Sequence, residues 1–143
     1  MERREMMTAA GALALAAVTA NAIAAGEHDH HHMGSKNQAL IDAAGDCAAK
    51  GDACLAHCLV LLGEGDKVMA ACAQSVNQTI AVCSALQRLA AQNSPYLGRF
   101  AKLAIDVCAD CEKECRKHEK KHAECKACAD SCAECIKQCK AFS

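Results

Sequence analysis

Thirteen cysteines carry the chemistry of this 143-residue chain: Cys47, Cys54, Cys58, Cys72, Cys83, Cys108, Cys111, Cys115, Cys125, Cys128, Cys132, Cys135 and Cys139. Most stand three or four residues from the next, the spacing that puts side chains on one face of a helix. A thiolate is a soft ligand, so faces lined with thiols suit soft metal ions, held in number. Disulfides alone cannot use the set, because the count is odd. Pairs on one helix are also poorly placed for the bond, whose geometry is demanding and whose partner side chains diverge there.

The elements that must position these thiols emerge from stepping alternately three and four residues, which marks four helical seams from residue 35 onward. The first is Leu40, Ala44, Cys47, Gly51, Cys54, Cys58, Leu61, and the second is Met69, Cys72, Val76, Thr79, Cys83, Leu86, Ala90. The third is Leu97, Ala101, Ala104, Cys108, Cys111, Cys115, His118, and the fourth is Cys125, Cys128, Cys132, Cys135, Cys139. Gly63 to Gly65 break the first pair, with Asp66 placed to cap the second helix. Asn93, Ser94 and Pro95 break the second pair, since serine can cap a helix whose first position is proline. Between the last two the charged run 116–121 has no glycine or proline, so that turn is inferred: one helix over 95–141 would be about 70 Å long, beyond what a small domain can bury. The seam rhythm also slips near Cys125 and Cys128.

Four helices with short connections predict an all-α, antiparallel four-helix bundle, in which the first and third loops share an end. All thirteen cysteines then fall within about 28 Å of that end at helical rise. Beyond them Leu40, Leu86, Leu89, Leu97, Phe100 and Leu103 are expected to form an apolar plug. The picture is a thiol-lined tube closed at its far end.

Composition fits a helical interior of small residues. Three aromatics, Tyr96, Phe100 and Phe142, cannot fill a conventional core, so alanine, leucine and cysteine must do so. A net charge of −1 argues against a nucleic-acid partner. Residues 1–25 have a charged start and an alanine-rich apolar run too short for a comfortable membrane span, with small residues at Ala22, Ala24 and Ala25 for cleavage. Arg3 and Arg4, side by side ahead of the run, match a twin-arginine export signal, which predicts export from the cytoplasm. Residues 26–34 read as a flexible, histidine-rich tail containing His28, His30, His31, His32 and Met33. Cleavage after Ala25 would expose Gly26, Glu27 and His28, whose amine, amides and imidazole can form a square-planar copper(II) site. Cleavage after Ala24 would abolish it. The helical domain is expected over 35–143.

Charge and geometry choose among the metals. Zinc calls for four ligands per ion, usually from knuckles and loops, and iron–sulfur clusters place their CxxC runs in loops. Copper(I) accepts two or three thiolates and lets each sulfur bridge neighbouring ions, a ratio of about one ion per cysteine. That ratio leaves the interior nearly neutral, whereas thiolates buried alone would each cost several kcal/mol. Before loading, the same thiols stay protonated and pack as small apolar side chains.

Taken together, the twin-arginine start, the thirteen cysteines, the CxxHC group at Cys54, His57 and Cys58, and the CxxCxxxC repeats of the last two helices resemble the bacterial copper storage proteins, in their exported form. The resemblance implies a four-helix bundle, assembled as a homotetramer, that stores many copper(I) ions on inward-facing cysteines. It also implies an entry group of histidine and methionine at the open end, matched here by His57 and Met69. Other methionines of that group are replaced by Leu61 and Glu64. Separately, His118 and His122 continue the third seam toward the same end and join the metal-binding candidates.

Supply of copper to an exported or membrane enzyme and a detoxifying sink share this chemistry. A thiol redox protein would want one reactive CxxC beside a turn, not thirteen thiols in seams. No nucleophile, base and orienting residue fall into a catalytic set, which argues against an enzyme.

Overall fold

Among the described residues four α-helices make up the fold: α1 (Gln38–Gly63), α2 (Ala70–Ala91), α3 (Leu97–Arg116) and α4 (Ala123–Cys139), with a 3₁₀ turn, Lys67–Met69, leading into α2. The computed structural model describes residues 37–143. The leader expected over 1–25 and the tail over 26–34, His28 included, lie outside the described residues. Each helix packs on its neighbours in sequence, and α1 closes the square against α4, while the diagonal pairs make no close approach. The architecture is an antiparallel four-helix bundle with its first and third turns at one end.

The seams are the buried faces. On α1 the buried residues are Leu40, Ala44, Cys47, Gly51, Cys54 and Cys58, with Leu61 half-buried. Every member of the second seam is buried, Ala73 beside it. On α3 the buried face ends with Cys115, and His118 lies past the helix, half-buried. On α4 Ala129 and Ser131 join the five cysteines. Leu40 and Leu86 are fully buried at the far end, Leu97 nearly so, and Leu89, Phe100 and Phe142 pack against them. Each buried leucine contributes about 2 kcal/mol through area removed from water. Leu103, expected in this plug, is instead 48% exposed. It falls between Ala101 and Ala104 of the seam, and one helical step turns it outward.

The first two turns use the same device. The carbonyl of Leu61 accepts from the Asp66 N–H (2.9 Å) and that of Leu62 from the Gly65 N–H (3.0 Å), around Gly65 at φ +95°. At the end of α2, Leu89 accepts from Ser94 (3.0 Å) and Ala90 from Asn93 (3.2 Å), with Asn93 at φ 50°. Both are Schellman closures, which need a left-handed residue after the helix. The Asp66 carboxylate accepts from the Val68 N–H as a cap should. Ser94 does the same for α3: its Oγ accepts from the Tyr96 N–H and its carbonyl from the Leu97 N–H, so the regular helix starts only at Leu97.

The third turn, 117–122, contains no left-handed residue, which is why it needs no glycine. It is closed by the His118 carbonyl, which accepts from Lys121 and His122, and by the extended backbone of His122 (φ −128°, ψ 110°). Arg116 holds it from outside, donating to Glu112, to Glu119 in the turn and to Asp130 on α4.

Candidate metal centre

All thirteen cysteines are at 0% exposure and all are free thiols. Five come from α1 and α2 and eight from α3 and α4, so the walls of the tube are unequal. Facing sulfurs stand 3.6 Å apart in Cys72–Cys115 and Cys83–Cys108, 3.7 Å in Cys47–Cys132 and 3.8 Å in Cys54–Cys125 and Cys111–Cys128. A disulfide bond is about 2.05 Å. Two thiolates around one ion, each about 2.3 Å from it, stand at roughly the observed separation.

The sulfurs gather into groups whose members all lie within 4.8 Å of one another. Cys54, Cys58, Cys72 and Cys125 form one quartet, and Cys47, Cys83, Cys108 and Cys135 a second. Between them lie the trios Cys54, Cys115, Cys128 and Cys111, Cys128, Cys132. Cys54 and Cys128 each belong to two groups, so sulfurs bridge from one group to the next.

Burial and crowding keep protons on much of this lining. Desolvation, then the neighbouring Cys72 and Cys54, push the Cys58 thiol well above its ordinary value. Cys54 and Cys125 are both pushed up to about 12: around Cys54 the pull of Cys115 is outweighed by Cys125, Cys128 and burial, and around Cys125 that of Cys54 by Cys72 and burial. Deeper in, hydrogen bonding to Cys108 draws Cys47 down to about 5 and pushes Cys83 and Cys132 up. A cation entering the tube therefore displaces protons as it binds.

At the end shared by the first and third turns, His57 Nε2 of α1 lies 2.9 Å from His122 Nδ1 and 3.7 Å from a carboxylate oxygen of Glu124. The rings of His118 and His122 are 6.4 Å apart, centre to centre. Met69 is buried at the end of the 3₁₀ turn, three residues before Cys72. The structure thus brings together His57, His118 and His122 at the end where His57 precedes Cys58 on α1 and His122 leads into α4 three residues before Cys125. Glu124 had no sequence signal of its own. Its spacing from His122 could have suggested it, had the start of α4 been legible.

A family model described as copper storage protein matches residues 33–143. A cysteine-rich protein of Bacillus subtilis (strain 168), YhjQ, is 27% identical over 111 residues, which cover 78% of this chain and 99% of that protein. Among solved structures the fold is similar to copper(I)-bound copper storage protein BsCsp3, with TM-score 0.65 and 27% identity over 74% of this chain and 96% of that one. It is equally similar to apo-Csp3 of Bacillus subtilis, with TM-score 0.65 and 28% identity over 74% of this chain and 97% of that one. A bundle lined by free, clustered thiols and matched by that model over three quarters of its length belongs to the copper storage protein family.

Proposed function

We propose that this protein stores many copper(I) ions, about one per cysteine, on thiolates facing into its bundle, loaded through the end that carries His57 and Met69. The observation that carries the reading is the burial of all thirteen thiols, unpaired and in overlapping groups. The copper(I)-bound state of the similar BsCsp3 supports the same cargo. Zinc could occupy the two quartets, but Cys111, Cys115, Cys128, Cys132 and Cys139 would then be buried without an ion. The paired arginines of the leader support export by the twin-arginine route, to the periplasm or to extracytoplasmic membranes. There the store would supply copper to exported or membrane enzymes, as a homo-oligomer, a tetramer by family resemblance.

Titration of the anaerobic, reduced mature protein with copper(I) tests the reading. Uptake close to one ion per thiol is expected. Saturation at three or four ions per chain would overturn it in favour of separate zinc-like sites.

A further inference from the structure

The thiol lining is continuous, but its continuity hangs on one residue. Near the loading end are the quartet of Cys54, Cys58, Cys72 and Cys125 and, joined to it through Cys54, the sulfurs of Cys115, Cys128 and Cys111. At the closed end are the quartet of Cys47, Cys83, Cys108 and Cys135, and Cys139 against Cys135. Cys132 stands between. It shares a trio with Cys111 and Cys128, lies 3.7 Å from Cys47 and also hydrogen-bonds Cys108. No described sulfur contact joins the outer seven thiols to the inner five without it.

The reason lies on the opposite wall. Just outward of Cys132, opposite Cys111 and Cys128, the seams of α1 and α2 present Gly51, Val76 and Thr79 between Cys47 and Cys54 and between Cys72 and Cys83, and no thiol. Ile80 folds over Gly51, its Cγ1 only 2.8 Å from where a Cβ would stand, with Val76 beside it. The Thr79 hydroxyl donates to the Ser75 carbonyl of its own helix at 3.1 Å and sits beside Cys111 of the opposite wall. A soft cation finds little to hold it there, because an apolar wall and a bound hydroxyl are both poor ligands for it.

We infer that Cys132 is the relay through which copper(I) passes from the outer to the inner half of the store, a positioning role distinct from its share in capacity. Each transfer forms one copper–sulfur bond to the next thiol and breaks one behind it. The proton of the incoming thiol passes to the sulfur released or to solvent, and copper stays copper(I). The inner half then fills after the outer and empties last.

This inference rests on the storage reading, and one experiment separates the two. Copper(I) transfer from a coloured chelator to the reduced protein is followed in time, with total uptake measured at the end. Wild type is expected to fill to about one ion per thiol; saturation at three or four would sink the storage reading itself. Cys132→Ser should fill roughly seven thiols at the wild-type rate and the inner five at least tenfold more slowly, on the order of 1.4 kcal/mol in barrier. Cys139→Ser, which removes a thiol from the closed end, should lose about one ion with no slow phase. Thr79→Cys added to Cys132→Ser puts a sulfur beside Cys111 and one turn from Cys83, and should restore fast filling. Wild-type kinetics in Cys132→Ser, or an identical slow phase in Cys139→Ser, would overturn the relay. Circular dichroism of each variant separates a slow relay from a damaged bundle, and failure of Thr79→Cys to rescue a folded Cys132→Ser would also count against it.

Discussion

His57 and His122 meet across the end shared by the first and third turns, Nε2 to Nδ1 at 2.9 Å, one from the last turns of α1 and the other from the residue that starts α4. The contact joins two elements that are 65 residues apart in sequence. The two imidazoles stand one residue from Cys58 and three from Cys125 in sequence, two thiols of the outer quartet.

Replacement of His57 by alanine should therefore change the rate of loading and leave its extent almost untouched. Uptake from a chelator is expected to slow by roughly tenfold, about 1.4 kcal/mol in barrier. An equal loss of final capacity would show that His57 is a storage ligand and not an entry group.

The metal-free bundle should lose stability in alkaline solution. Cys54 and Cys125 are pushed up to about 12, whereas an unfolded cysteine ionises near 8.5. The unfolded chain then binds fewer protons than the folded one above that pH, so the stability these thiols contribute is present below about 8.5 and declines as pH rises toward 12. Thiols drawn down, such as Cys47 near 5, are ionised in both states above 8.5 and do not oppose the trend. Thermal unfolding of the reduced apo-protein should show Tm falling between pH 8.5 and 10.5. A flat Tm across that range would contradict it.

Gly51 is a glycine inside a helix because Ile80 occupies the space of its side chain. Alanine would gain helix propensity but must displace a stiff, β-branched neighbour. The expected net effect of Gly51→Ala is a loss of about 1 kcal/mol, measurable by urea unfolding. A stabilised variant would mean that Ile80 moves aside freely.

At the closed end, buried Asn37 donates to the Ala90 carbonyl (2.9 Å) and to Asn93 Oδ1 (3.0 Å), tying the start of α1 to the turn after α2. Asn37→Ala should cost about 1 kcal/mol by removing both hydrogen bonds, the Ala90 carbonyl keeping the Asn93 N–H and the exposed Asn93 side chain turning to water. Copper uptake should proceed at the wild-type rate, since the change lies at the end opposite the proposed entry. Slowed uptake would place an entrance at that end.

The seams were legible because a three–four rhythm leaves little freedom: Leu40 to Cys58, Met69 to Ala90 and Leu97 to Cys115 are buried as the steps place them. Leu103 lies outside the core because its step, between Ala101 and Ala104, outweighs its hydrophobicity. The turn at 117–122 carried no signal because it closes without a left-handed residue, and with it went the sight of His122 and Glu124 against His57. The gap at Gly51, Val76 and Thr79 was written in the seams, but its meaning needed the sulfur contacts of the opposite wall.

One consequence of the sulfur spacing concerns the empty protein. Facing thiols are held 3.6–3.8 Å apart across different helices, in contact but beyond bonding distance, and joining any one pair would require their side chains to leave the positions in which the interior packs them. A close-packed interior resists such a shift, because it transmits strain. The scaffold thus acts as its own reductant-sparing device: by packing alone it defers self-oxidation, and the lining stays ready for its first ion.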